Sequence, residues 1–227
     1  MLSTVRGEDG HRRCGWGASD PAYVAYHDDE WGRPVVDDTR LYEKLCLEGF
    51  QSGLSWLTIL RKRENFRRAF AGFDPEAVAA FGPSDVERLL GDAGIVRHRG
   101  KIEATIANAR ATLEVQGRYG SLAALVWSHE PARRGRGVPA ELGQVPPKTP
   151  ESVALSKSLL GLGFKFVGPT TVYAAMQSLG VVNDHLQGCW VRGVCTRDRR
   201  AATIPALIDG PARSDGPAGW SPTRQRR

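Results

Sequence analysis

The chain has 227 residues, 41% of them hydrophobic, with 31 Lys and Arg against 25 Asp and Glu. That is enough apolar material for the core of one ordinary domain, and no apolar run is long enough to span a bilayer. The N-terminal stretch is charged and carries no apolar leader, so a cytoplasmic location is expected. Four scattered cysteines, Cys14, Cys46, Cys189 and Cys195, exclude a disulfide scaffold and leave reduced thiols or metal ligands. The formal net charge of +6 favours an anionic partner, because Lys and Arg gain affinity by displacing counterions from a phosphate backbone.

Helix punctuation recurs along the chain and period-two alternation does not, which predicts an all-α architecture. Residues 1–12 read as a flexible arm. The acidic pair Asp37-Asp38 predicts a helix from about Thr39 to Gln51, and Ser55 caps a second from Trp56 to about Phe70 that stops at Gly72. Asp74-Pro75 and the capping-box pattern Ser84-Asp85-Val86-Glu87 open two short helices. A long helix follows from about Lys101 to Val115, and a shorter one from Ser121 to Ser128. The Pro- and Arg-rich stretch from Glu130 to Pro147 reads as a surface loop. Thr149-Pro150 starts a helix that ends near Leu160, the glycine-rich segment from Gly161 to Thr170 breaks it, and another helix runs to Leu179. Helix, glycine hairpin, helix is the result, either an ordinary packed pair or a turn whose N–H groups meet a phosphate. Residues 196–227, proline-studded and ending in Arg226-Arg227, are expected to be a disordered basic tail, which leaves 13–195 as the domain.

Three features carry chemistry. Glu48 is a carboxylate in an aromatic, glycine-broken neighbourhood with Tyr26, Trp16, Trp31 and Trp56 near it in sequence; such a group is costly unless paired or working, and an acceptor among ring faces suits a flat, hydrogen-bonding ring. Leu54, between Gly53 and Ser55, reads either as core or as an apolar wedge for the gap left by an extruded base. Cys14, His27, His185 and Cys189 read either as buried thiols and satisfied histidines or as a Cys2His2 metal set split between the two ends of the chain. Closing so long a loop costs about 4–5 kcal/mol, whereas structural zinc supplies about 10–16 kcal/mol in finger peptides.

Taken together, Arg13-Cys14-Gly15-Trp16, Ala25-Tyr26-His27-Asp28-Asp29-Glu30-Trp31-Gly32, Cys46-Leu47-Glu48-Gly49, Ser52-Gly53-Leu54-Ser55-Trp56, Arg97-His98-Arg99-Gly100-Lys101-Ile102, Gly163-Phe164-Lys165-Phe166-Val167-Gly168 and Val182-Asn183-Asp184-His185 resemble the DNA-3-methyladenine glycosylase I family, a branch of the helix-hairpin-helix DNA glycosylases. The resemblance implies an all-α glycosylase fold whose termini are joined by one structural zinc held by Cys14, His27, His185 and Cys189. It implies hydrolysis of the N-glycosidic bond of 3-methyladenine in alkylated double-stranded DNA, with no catalytic cofactor; a monomer is the default expectation. In that reading Glu48 accepts from the damaged base, Tyr26 hydrogen-bonds it, Trp56 stacks on it, and Trp16 and Trp31 line the pocket. Gly53 and Leu54 plug the DNA, and Gly163 to Gly168, with Lys165, meet a backbone phosphate. Thr170 stands where strand-cutting relatives of the superfamily carry a nucleophilic lysine, so no lyase activity is expected. Asn183 stands near a position where many of them carry aspartate, with Asp184 next to it. Phe50 occupies a place where a polar residue is expected, which leaves base selectivity open. A non-catalytic, zinc-stabilised DNA-binding module, or a glycosylase of the same fold for another lesion, are the alternatives.

Overall fold

The computed structural model describes residues 3–132 and 137–208. Part of the Arg-rich loop (133–136) and most of the expected tail (209–227) therefore lie outside the described residues. Among the described residues the protein is helical: α1 Pro21–Asp29, α2 Asp38–Gln51, α3 Trp56–Ala69, α4 Pro75–Ala79, α5 Pro83–Gly91, α6 Arg99–Tyr119, α7 Leu122–Trp127, α8 Pro150–Gly161, α9 Pro169–Ser178 and α10 Trp190–Ala201. None of these helices is long and apolar enough to cross a membrane.

The helix α2 organises the rest, packing against α3, α6, α7 and α9. Its N-terminus is fixed twice. The Asp37 side chain accepts from the Arg40 N–H, and Asp38 accepts from the N–H groups of Leu122 and Ala123, so one carboxylate also caps α7. Leu41, Tyr42, Leu45, Leu47 and Phe50 are buried along it, and the Tyr42 hydroxyl is satisfied by the Thr105 carbonyl of α6 at 2.9 Å. Phe50 continues into an aromatic run with Phe66, Phe70 and Phe73, each ring stabilising the core by about 1.5–3 kcal/mol on burial. A second, small cluster of Cys14, Leu186, Cys189, Val191 and Cys195 joins the start of the domain to α10.

Several local readings need correction. Within the expected arm of residues 1–12 the chain forms regular structure: β1 Thr4–Arg6 pairs antiparallel with β2 Arg12–Cys14, with Val5 opposite Arg13. Asp20 caps α1, whose Asp-Pro start resembles that of α4. The box at the start of α5 forms two residues earlier than expected, with Gly82 as N-cap donating to Asp85 at 3.1 Å, because Pro83 has its φ pre-set for the first helical position. The helix α10 runs past residue 195 to Ala201, and Ile204 and Leu207 beyond it pack on the main core. The hairpin connecting α8 and α9 turns at Gly163 (φ +93°) and is pinned by Asn108, which accepts from the Lys165 N–H at 2.7 Å and donates to the Lys165 carbonyl at 3.1 Å.

Candidate functional site: an aromatic cavity braced by a Cys2His2 cluster

A cavity of about 270 Å³ opens between α1, α2, α3 and α9, lined by Trp16, Tyr26, Trp31, Glu48 and Trp56 among others. All five residues singled out as base contacts thus face one space. Its size lies below the range of about 300–1,000 Å³ typical for drug-sized ligands, which suits a single ring system. Glu48 is only 6% exposed. Its Oε1 lies 2.9 Å from the Nζ of Lys44, one turn earlier on α2, and the same ammonium donates to the Tyr26 hydroxyl at 2.7 Å. Burial, with Glu48 and Glu30 nearby, pushes the Tyr26 phenol well above its ordinary range, so it stays a neutral hydrogen-bonding group.

The rings stand edge to face or tilted around the space. Trp16 meets Trp31 at 5.0 Å between centroids and 76°, and Tyr26 meets Trp56 at 5.4 Å and 44°. Further lining comes from Gln51, Leu142, Val145, Gln177 and Asp184, residues not assigned to the pocket from sequence. Asp184 accepts from Tyr173 at 2.6 Å and Gln177 at 2.9 Å. Asn183 turns away, donating to the Arg192 carbonyl and the Thr196 hydroxyl at 3.0 Å each, so Asp184, not Asn183, is the residue of that pair facing the cavity. Phe50 belongs to the core and not to the lining, so its departure from the expected pattern touches packing, not the base pocket.

Cys14, His27, His185 and Cys189 are all buried, and their ligand atoms lie within 4.8 Å of one another. Cys189 Sγ is 3.5 Å from both His27 Nε2 and His185 Nδ1, and Cys14 Sγ is 3.8 Å from His185 Nδ1. A tetrahedral site with ordinary zinc–sulfur and zinc–nitrogen bonds has edges of about 3.5 Å. The outer nitrogens fit as well: His27 Nδ1 lies 2.8 Å from Asp28 and His185 Nε2 lies 2.9 Å from the Trp31 carbonyl. Donating there leaves both inner nitrogens with lone pairs aimed at the centre. Arg13 holds Asp28 in turn, at 2.7 and 2.9 Å. The neighbouring Cys14 thiol, with help from the two imidazoles, holds the Cys189 thiol below its ordinary range. The cluster suits a metal ion.

Cluster and cavity are one unit. His27 follows Tyr26, Trp16 lies two residues from Cys14 and touches the His27 ring at 5.3 Å, and Trp31 packs on His185 at 4.6 Å. Gly17 lies so close that a Cβ there would stand 2.6 Å from the His27 ring.

Two exposed features flank the cavity. Leu54, 41% exposed, tops the turn between Gln51 and Trp56, with Gly53 at φ +83°. Lys101 ties that turn down through the carbonyls of Phe50 at 2.8 Å and Ser52 at 2.7 Å. Next to Glu48, Gly49 lets the hairpin approach α2: a Cβ there would lie 3.1 Å from that of Phe166. Lys165 is exposed beside it, and Gly168 starts α9 with no side-chain cap, so the positive end of that helix carries the hairpin's N–H groups.

A helical fold with a metal-competent clamp behind an aromatic, carboxylate-bearing cavity defines a protein that holds one planar, hydrogen-bonding ring. The methyladenine glycosylase family matches residues 16–192, and the chain belongs to that family. It is 52% identical over 180 residues to DNA-3-methyladenine glycosylase 1 of Escherichia coli (strain K12), covering 78% of this chain and 95% of that protein. It is 46% identical, over 78% of this chain and 96% of the relative, to DNA-3-methyladenine glycosylase of Haemophilus influenzae. The fold superposes with a TM-score of 0.73 on a single-residue variant of 3-methyladenine DNA glycosylase I in complex with 3-methyladenine, at 36% identity over 79% of this chain and 97% of that one.

Proposed function

We propose that this protein hydrolyses the N-glycosidic bond of 3-methyladenine in alkylated double-stranded DNA, releasing the base and leaving an abasic site. The observation that carries the reading is the buried Glu48 carboxylate, set with Tyr26 and Trp56 in a cavity of single-base size. Family membership and the 3-methyladenine bound to a similar structure support it.

Methylation at N3 leaves the ring positively charged and weakens the glycosidic bond before any protein arrives, so little chemical push is needed. The protein extrudes the nucleotide at a cost of a few kcal/mol. Leu54 fills the vacated stack from a turn that Lys101 holds in place, and the hairpin from Gly163 to Gly168, with Lys165, takes a phosphate against the start of α9. Glu48 accepts from the base, Tyr26 adds a second hydrogen bond, Trp56 stacks, and Trp16 and Trp31 close the wall. Thr170 offers no amine for a Schiff base, so the strand is left uncut.

Zinc is the metal the cluster fits, held by Cys14, His27, His185 and Cys189. With all four positions taken by protein, a zinc ion held there would leave no place for an activated water and would serve as a clip between the ends of the domain. A monomer acting in the cytoplasm completes the reading.

The test is chromatography of bases released from duplex DNA treated with a methylating agent. Release of 3-methyladenine and not 7-methylguanine, reduced about tenfold or more in Glu48→Gln by loss of a charge-assisted hydrogen bond, is the expected result. Folded, zinc-loaded protein that releases no base is a DNA-binding module, and one that releases a different base has another lesion as its substrate; either result refutes the proposal.

A further inference from the structure

Lys44 has no part in the roles above, yet its ammonium touches three of the groups assigned to the base. Its Nζ lies 2.9 Å from Glu48 Oε1, 2.7 Å from the Tyr26 hydroxyl and 3.4 Å from the centroid of the Trp56 ring. An ammonium has three N–H groups, and here they are met by a carboxylate, a phenol oxygen and an indole face. Lys44 lines a second, smaller cavity of about 40 Å³ and not the larger one, while Tyr26 and Trp56 line both. Lys44 therefore stands behind the wall that the base would face.

The surrounding charges leave this triple contact to Lys44. Glu30 is paired with Arg63 at 2.6 Å and Glu43 with Arg67 at 2.8 Å on its own side of the wall. Arg40 also lines the small cavity, and Tyr23 and Asp184 face Glu48 across the large one, Asp184 already accepting from Tyr173 and Gln177. A buried ammonium is costly unless specifically partnered, and on α2 the i,i+4 spacing puts Lys44 and Glu48 on one face.

We propose that Lys44 is a positioning residue of the base pocket: one ammonium holds the Glu48 carboxylate, the Tyr26 hydroxyl and the Trp56 ring in their base-binding arrangement from behind. This rests on the glycosylase reading for the identity of the base, while the arrangement itself is testable without any base. Burial draws the Lys44 ammonium below the ordinary lysine range, against the pull of Glu48, so the arrangement loosens as pH rises through that lowered value. Arginine at 44 stays charged throughout.

The experiment follows tryptophan fluorescence from pH 7 to about 10.5, in the free protein and on adding 3-methyladenine. It compares wild type, Lys44→Met and Lys44→Arg, with Trp56→Phe identifying the Trp56 contribution and circular dichroism checking the fold. Wild type is expected to show an alkaline step in Trp56 emission with a parallel loss of base affinity. In Lys44→Met the step is absent and affinity is about tenfold lower or worse at every pH. Lys44→Arg is expected to restore affinity to within about threefold and to hold it through the alkaline range. Folded Lys44→Met with wild-type affinity and an unchanged pH profile would overturn the proposal. An alkaline Trp56 step that both Lys44 variants abolish, in a protein that binds no 3-methyladenine at any pH, upholds the positioning role and sinks the glycosylase reading instead.

Discussion

At residue scale the site is a set of costly groups that satisfy one another. Glu48 alone in an aromatic cavity would be expensive; beside Lys44 it is an anchored acceptor. Trp56 contributes a ring face on the cavity side, and base–aromatic stacking is worth about 1–3 kcal/mol. Trp56→Ala is therefore expected to weaken binding of free 3-methyladenine by about 5- to 150-fold, measured by calorimetry, with Trp56→Phe recovering part of the loss. Asp28 does its work through His27, fixing which ring nitrogen faces the cluster. Asp28→Asn is expected to lower zinc affinity by about 10- to 100-fold in a chelator competition; unchanged affinity would remove Asp28 from the metal's support.

At the scale of elements, the turn that follows α9 shows how backbone conformation sets the frame of the site. Gly180 has φ +73°, and a Cβ there would lie 2.5 Å from the carbonyl carbon of Arg33, in the segment between α1 and α2. Gly180→Ala adds both a strained φ and a backbone clash, costing about 2 kcal/mol or more. Its melting temperature is expected to fall by about 4–8 °C, whereas a shift under 1 °C would show that the close approach is dispensable. Helices with caps and stops in the sequence are readable: Ser55 and Thr149 cap where expected, while Asp37 and Ser121, read only as part of helix starts, also prove to be N-caps. Helix α1 has a readable start in Asp20-Pro21, but its buried residues are Tyr26, His27 and Asp28, which form no apolar stripe to mark it as a helix. The β1–β2 pair was hidden because three-residue strands carry no period, and their pairing depends on a turn at Gly10 and on Arg13 reaching Asp9 and Asp28. The pocket's rings were visible as a cluster of tryptophans, but Leu142, Val145 and Gln177 join it only through tertiary packing. Lys44 was legible in principle, four residues before Glu48 on one helix face.

At the scale of the whole molecule, the Cys2His2 cluster gathers the first strand pair, α1 and the start of α10 into one unit and carries the pocket walls with it. Elemental analysis is expected to find one zinc per chain. Cys189→Ser leaves the remaining ligands buried and incomplete, a loss of about 3 kcal/mol or more, which should lower the melting temperature by about 6–12 °C and loosen the cavity at the same time. A variant that lost its metal yet kept both stability and base affinity would separate clamp from pocket. On this reading the cavity between α1, α2, α3 and α9 is where a damaged base is held. Diffraction from crystals soaked in 3-methyladenine tests that most directly. The expected result is density for one base inside the cavity, stacked on Trp56 and within hydrogen-bonding distance of Glu48 and Tyr26. A base bound elsewhere, or a cavity left empty at saturating concentration, would contradict it.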